Sequence, residues 1–477
     1  MGATVELRGR GNPLLRAAVR EGYPGLVRAL ENLERDLPRF VHRELQAYLG
    51  CGDPASGFAW LECQGCAIHR LVPFSCKTRG FCPSCAGRRM AVGAAHLVDR
   101  VIPWVATRQW VVSVPWTRRW LLARRPDLAQ GVLRVALGCI GRWYRRATGE
   151  SAGQSGSVTV QQRFGSALNL NVHFHVLHLD GVYVKSASGE LTFVRAIPST
   201  ADVEVLGEEI GRKAERWLSR QGFAGEADDE VEDVDDAQAL FQLASVSGRL
   251  TTGERAGRGV VRRVQVLGGR EVALGPRCAV WEGYNVHANV ALRAQDRDGV
   301  ERLCRYMLRP PLAAERLERL EDGRVRIGFK RAWADGTGAI ELSCVGLVEK
   351  LAALIPPPRA ILVTYSGVLA GHAKLRAEVV PTAPSSSQAA EERRRSLRLV
   401  KREARAARTR RGVEAPGWAE LLWRVFRVDG WACPACGGAM RLRAVVVRAA
   451  ATGKILRCLD HARGPPGPAA GIDDRGA

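Results

Sequence analysis

The sequence predicts an α+β protein with a cysteine-rich module ahead of a larger mixed region. Three observations lead there. Strand-like alternation fills RQWVVSVP (108–115), SVTVQQR (157–163) and LNLNVHFHVLHLDG (168–181). Helical periodicity fills 127–146 and 296–309. Six of the thirteen cysteines fall between Cys51 and Cys85. A chain of 477 residues with 46% hydrophobic and 25% charged residues can bury a core, and it is long enough for two or three units.

Charge narrows the function classes. The chain carries 71 Lys+Arg against 49 Asp+Glu, a net +22, and eight lysines stand against 63 arginines. A pI near 10.1 points to a polyanionic partner, with nucleic acid the first choice, and arginine grips phosphate bidentately where lysine cannot. No apolar run reaches eighteen residues and no charged-then-apolar leader opens the chain, so a spanning protein and an exported one are not expected. The expected compartment is a reducing cytoplasm, where cysteine clusters bind metal more often than they form disulfides.

In chain order, residues 1–50 read as a polar helical segment, followed by a zinc-binding domain at 51–90. Cys63-Gln-Gly-Cys66 and Cys82-Pro-Ser-Cys85 are two CxxC knuckles separated by fifteen residues, a zinc-ribbon spacing. Four thiolates leave no position open for water, so this zinc is expected to be structural. Cys51, Cys76 and His69 are spare ligands, and Arg70, Lys77, Arg79, Arg88 and Arg89 suit contact with DNA. The mixed domain runs from 91 to 380, with an acidic insertion near 224–238 that holds eight carboxylates between 226 and 236. PTAPSSS opens a linker and basic helix over 381–412, where ten Lys/Arg stand against three Glu between 391 and 411. The remainder, 413–477, contains Cys433-Pro-Ala-Cys436, a half-site that Cys458 and His461 could complete at CxxH spacing.

Two segments carry the chemistry. Strand parity in 168–181 puts Asn169, Asn171, His173, His175 and Leu177 on one face, with Leu168, Leu170, Val172, Phe174 and Val176 on the other. Imidazoles two residues apart point the same way, about 7 Å apart at their Cα atoms, and can chelate one divalent cation. His178 has the opposite parity. Two imidazoles are a soft set for Mg²⁺, so an oxygen ligand is expected, and Gln162, Gln161 and Asp180 are the candidates, with Gln162 preferred. In 296–309 the apolar stripe is Val300, Leu303, Cys304 and Met307, which turns Tyr306 away from the core, on a face with Arg302 and Arg309. A phenol flanked by guanidinium groups suits phosphate chemistry. Tyr365 is the fallback nucleophile, in surroundings that read as a buried strand.

VPFSCKTRGFCPSC (72–85), QRFGSALNLNVHFH (162–175), LCRYMLRPPLAAERL (303–317) and PPPRAILVTYSGVLAGHAKLR (356–376) follow one another in this order. Together they resemble the rolling-circle transposases of the insertion sequence 91 family, over roughly residues 50 to 380. The resemblance implies a bacterial, nucleoid-associated protein with a zinc-binding module. That module would be followed by an HUH endonuclease domain, a central antiparallel sheet backed by helices. It implies His173 and His175 as metal ligands, Tyr306 as nucleophile, and Cys63, Cys66, Cys82 and Cys85 as the zinc motif. The implied reaction nicks and transfers single-stranded DNA at element ends with Mg²⁺ or Mn²⁺, through a 5′-phosphotyrosine. Two-tyrosine members carry Tyr-x-x-x-Tyr; here Arg302 holds the first position, so a single-tyrosine enzyme is expected. No GxxxxGK[ST] loop is present, which leaves unwinding of target DNA to host helicase or replication proteins. A plasmid replication initiator and a non-catalytic zinc-dependent DNA-binding regulator are the alternative readings.

Overall fold

The computed structural model describes residues 5–7, 12–66, 68–224, 236–264, 274–381, 431–433, 435–447 and 449–463. Most of the acidic insertion, the linker after Pro381 and the whole basic segment 391–411 lie outside the described residues. Among the described residues, no helix is long and apolar enough to cross a membrane.

The chain starts with β1 (Val5–Leu7) and two amphipathic helices, α1 (Pro13–Glu31) and α2 (Arg39–Leu49). The Asn12 side chain caps α1 by accepting from the Leu15 N–H at 3.0 Å, which satisfies one of the free donors of the first turn. A hairpin follows, β2 (Phe58–Cys63) and β3 (His69–Pro73), and then α3 (Pro83–Arg100), entered through Cys82 with Pro83 in its first turn. The hairpin sits in a four-stranded sheet of order β1-β3-β2-β16, in which β16 (Met440–Val446) comes from the far end of the chain. β16 pairs antiparallel with β2, placing Met440 opposite Cys63 and Val446 opposite Phe58. Phe58, Leu71 and Val446 form a small buried cluster, and Ala451, Ile455 and Leu456 pack on it from the last helix (Ala449–Arg463). The carboxy-terminal segment is therefore built into the amino-terminal module.

Next in sequence come β4 (Thr107–Ser113), α4 (Trp116–Arg124), α5 (Pro126–Thr148), β5 (Gly156–Phe164) and β6 (Leu170–Leu179). The short hairpin β7 (Gly181–Lys185) and β8 (Leu191–Arg195) leads to α6 (Thr200–Arg220) and α7 (Ala237–Val246). After β9 (Val261–Val264), strands β10 (Cys278–Trp281) and β11 (Tyr284–Leu292) lead into α8 (Arg297–Met307). β12 (Leu317–Arg319), β13 (Val325–Gly328) and β14 (Thr337–Leu342) form a smaller antiparallel sheet with β9, and α9 (Cys344–Leu354) packs beside α1 and α7. β15 (Val363–Gly367) ends the series.

The central sheet has the order β10-β11-β4-β6-β5-β15, antiparallel throughout. One face buries Trp110, Val112, Val172, Phe174 and Val176 in the core shared with α4, α5, α6 and α7. The opposite face packs Val158, Val160 and Leu177 against α3 and the stripe Val300, Leu303, Cys304 and Met307 of α8. Both faces of β6 are buried, so the polar residues on it need partners inside the protein.

Candidate active site and metal centres

The second face carries the candidate site. His173 lies between Ser113 of β4 and Gln162 of β5, and His175 between Val111 and Val160, so both imidazoles and Gln162 project from one face in adjoining rows. The two rings stand 4.9 Å apart, edge to face. α8 crosses this face because its apolar stripe needs cover. Asp296 caps it by accepting from the Gly299 N–H at 2.8 Å, and Pro310 and Pro311 follow it. Tyr306 in the last turn is turned off that stripe and half exposed, with its ring 5.5 Å from that of His175. The Arg309 guanidinium stacks 5.0 Å over the Tyr306 ring and 5.3 Å over Phe164. Arg302 is more remote, an exposed side chain 3.9 Å from Asp296.

The histidines have the character of metal ligands. Burial holds His173 down to about 4, and burial with His173 beside it holds His175 down to about 3, so both are neutral near pH 7. Nδ1 of His173 is 2.9 Å from the Asn171 carbonyl, which fixes its proton there and leaves Nε2 as the lone-pair nitrogen. Nδ1 of His175 is 2.9 Å from the Gln109 amide. The atom in contact is the amide nitrogen, which donates to Nδ1, while Nε2 of His175 is buried without a partner. Gln162 donates through Nε2 to the Met307 carbonyl at 2.6 Å, while its Oε1 is buried and unpartnered. Asn171, two residues before His173 on the same face, has another buried oxygen without a partner. Two neutral imidazoles and the unpartnered oxygens of Gln162 and Asn171 thus belong to one face of the sheet. Sequence reasoning passed over Asn171 and Gln109 as contributors, although strand parity puts Asn171 beside His173.

Other candidates fall elsewhere. Asp180 is consumed by Arg108 at 2.7 Å, Arg195 at 3.1 Å and the Tyr144 hydroxyl at 2.8 Å, so it is no ligand. Gln161 shares the opposite face with Phe174. His178 also lies on that face and stacks flat on Tyr144 at 4.8 Å. Tyr365 is on an edge strand opposite Val158 and partly exposed, not the buried strand residue expected. It projects from the histidine face, but one row further on and two strands over from His175. A groove of about 380 Å³ adjoins the site, lined by Arg79 and Arg89 of the cysteine module and by Gln162, Phe164 and Arg309.

The cysteines form two four-thiol groups, and their membership corrects the expectation that Cys63, Cys66, Cys82 and Cys85 share one ion. Cys51, Cys76, Cys82 and Cys85 make one group, and Cys63, Cys66, Cys433 and Cys436 the other. The hairpin explains the split. Cys63 and Cys66 lie at its turn, whereas Cys51 precedes β2 and Cys76 follows β3 at the open end. The six residues of β2 separate the two ends by about 17 Å, far beyond the reach of one tetrahedral ion. Cys458 is exposed on the last helix and outside both groups, and the His461 side chain lies outside the described residues. His69 packs against Trp60 and joins neither group.

Sulfur spacings match tetrahedral zinc, for which bonds of about 2.3 Å put sulfurs about 3.8 Å apart. In the first group Cys51 is 3.7 Å from Cys82 and 3.8 Å from Cys85, and Cys76 is 3.4 Å from Cys85. In the second, Cys63–Cys436 is 3.5 Å and Cys66–Cys433 is 3.6 Å. The N–H groups of Cys66 and Gly65 aim at Cys63 and bring it down to about 6, and those of Cys436 and Ala435 lower Cys433 in the same way. The groups fit structural Zn²⁺.

A family described as "Putative transposase" matches residues 156–376, which span the histidine strand, α8 and β15. A second family, the transposase zinc-binding domain of insertion sequence 91 type, matches residues 24–114. No curated protein and no solved structure matches the chain. Two matches in this order, one on each half of the architecture just described, make the chain an insertion sequence 91-like transposase, a zinc-binding protein that acts on DNA.

Proposed function

We propose that this transposase is a single-tyrosine HUH enzyme that nicks single-stranded DNA at element ends and transfers the strand. The observation that carries the reading is the half-exposed Tyr306 ring 5.5 Å from His175, on the face that gathers His173 and Gln162. His173, His175 and Gln162 would hold Mg²⁺ or Mn²⁺, with Asn171 as a further oxygen donor. Such an ion, when bound, supplies Lewis-acid polarisation of a non-bridging phosphate oxygen.

The chain's own residues do the rest. Arg309, placed over the Tyr306 ring, holds the phenol in place and offers its guanidinium donors to the scissile phosphate. The Tyr306 oxygen bonds to phosphorus as the bond to the 3′ oxygen breaks. The phenolic proton passes to solvent and the 3′ oxygen leaves as a hydroxyl. The resulting 5′-phosphotyrosine keeps the phosphodiester energy, so a later 3′-hydroxyl can displace Tyr306 without ATP. The groove lined by Arg79, Arg89 and Arg309 gives the flanking strand a cationic path that spans both the cysteine module and the site.

A covalent-adduct gel tests this. Protein is mixed with single-stranded oligonucleotides tiling the element's ends, with Mg²⁺ or Mn²⁺, and separated under denaturing conditions. A metal-dependent shifted band that disappears in Tyr306→Phe and His173→Ala is expected. Persistence of the band in Tyr306→Phe would transfer the role to another tyrosine, with Tyr365 next in line. Salt-sensitive binding with no adduct on the true ends would favour a non-catalytic regulator.

A further inference from the structure

The two thiol groups differ in kind. The matched zinc-binding span ends at residue 114, so it holds all of the Cys51 group but only half of the Cys63 group. The other half arrives from a segment 373 residues away. We propose that Cys63, Cys66, Cys433 and Cys436 bind a second Zn²⁺, and that this ion fastens the carboxy-terminal segment to the amino-terminal sheet.

Four features carry the assignment. First, the ligand half-sites mirror each other. The Cys63 N–H donates to the Ile68 carbonyl at 2.8 Å and the Cys433 N–H to the Gly438 carbonyl at 2.8 Å, so each CxxC is folded into the same tight turn. Second, the turns direct donors at the sulfurs: the Gly65 N–H donates to Cys63 Sγ at 3.4 Å and the Gly438 N–H to Cys436 Sγ at 3.4 Å. This pattern supports thiolates that an ion then neutralises. Third, the two half-sites pack closely against each other at Gly438. A Cβ on Gly438 would lie 3.2 Å from Cys436 Sγ and 3.4 Å from Cys63 Sγ. Fourth, the segments are already in register, with Met440 opposite Cys63 and the Gln64 N–H donating to the Ala439 carbonyl at 3.1 Å. The apolar contact beside the site is small, with Leu61 and Met440 the buried members besides Cys63 and Cys433. A metal cross-link supplies what so small a core does not.

Soft thiolates in a closed tetrahedral arrangement select Zn²⁺ over the oxygen-seeking ions proposed for the histidine face. Cys66 and Cys436 are exposed, whereas the Cys51 group is largely buried, so the second ion is the one a chelator should remove first. The inference stands independently of the tyrosine chemistry.

The test uses full-length protein purified with zinc. Elemental analysis should give two zinc ions per chain, falling to one in Cys433→Ser/Cys436→Ser. Limited trypsin cleavage within 382–430 should leave the fragment carrying β16 bound to the wild type. The same fragment should separate from the double variant, or from wild type after mild chelation. Should the double variant aggregate, cobalt titration of the zinc-free wild type decides. Two equivalents with the tetrathiolate spectrum support the proposal, and one equivalent overturns it. Two zinc ions retained by the double variant, one ion in both proteins, or iron in place of zinc would each overturn it as well.

Discussion

Gln162 and Met307 are joined by a 2.6 Å hydrogen bond from the side-chain amide to the backbone carbonyl. Gln162, opposite His173 on the sheet, thereby also ties down the end of α8, one position beyond Tyr306. In the proposed mechanism the metal-binding face and the attacking phenol are thus coupled through one side chain. Gln162→Ala is expected to lower the initial rate of adduct formation about 10- to 100-fold, as outer and inner ligand losses commonly do. Its melting temperature should fall only by the few degrees that match one lost hydrogen bond of about 1 kcal/mol. An unchanged rate across a Mg²⁺ titration would remove Gln162 from the site.

Acid should destabilise the fold through its buried imidazoles. His173 and His178 are held at about 4 and His175 at about 3, mainly by desolvation, against about 6.5 in an unfolded chain. With folded values below unfolded ones, the unfolded chain takes up protons first as pH falls. The stability present above pH 6.5 is then lost towards pH 4 and 3, at about 1.4 kcal/mol per pH unit for each group. His173→Gln/His175→Gln should lose less of its urea midpoint than wild type between pH 7.5 and 5. Equal losses would contradict the neutral, buried assignment.

Arg309 is expected to work by shape as well as charge. Its planar guanidinium lies over both Phe164 and Tyr306. Arg309→Lys keeps the charge but loses the planar group over the rings and the paired donors. The adduct rate should fall about 10-fold with Arg309→Lys and further with Arg309→Ala, at unchanged melting temperature. Full activity in the lysine variant would reduce Arg309 to a point charge.

Asp180 is the electrostatic anchor of the opposite face. It is fully buried and accepts from Arg108, Arg195 and Tyr144. Asp180→Asn leaves Arg108, itself 2% exposed, without its counter-ion. The loss should be about 3–5 kcal/mol by urea unfolding. A loss under 1 kcal/mol would show that water reaches Arg108.

Much of the candidate site was legible because it rests on local periodicity. Alternation through β6 separated His173 and His175 from Phe174, and the stripe of α8 turned Tyr306 outward, as the burial of Val300, Leu303, Cys304 and Met307 bears out. The metal partners of the knuckles were not legible. A CxxC turn specifies two thiolates, but which second pair it meets depends on where a hairpin points, and spacing carries no such information. Asp180, one of the lesser candidates for the oxygen ligand, drops out for a similar reason. Its sequence position beside β6 gives no sign that Arg108, 72 residues earlier, has already claimed it. Asn171 stood on the histidine face without a role, and Gln109 was not singled out, because amides become informative only once burial leaves their atoms without water.

The antiparallel pairing of β16 with β2 also sets a schedule for synthesis. The ribosome finishes Cys63 and Cys66 some 370 residues before Cys433 and Cys436, roughly 20 to 75 s earlier at ordinary elongation rates. Throughout that interval the nascent chain shows one completed thiol cluster and one open pair of sulfurs. A polypeptide broken off anywhere before Cys433 stays in that state, however well its catalytic sheet has folded. The last sheet partner therefore turns the number of bound zinc ions into a record of whether translation has passed Cys436.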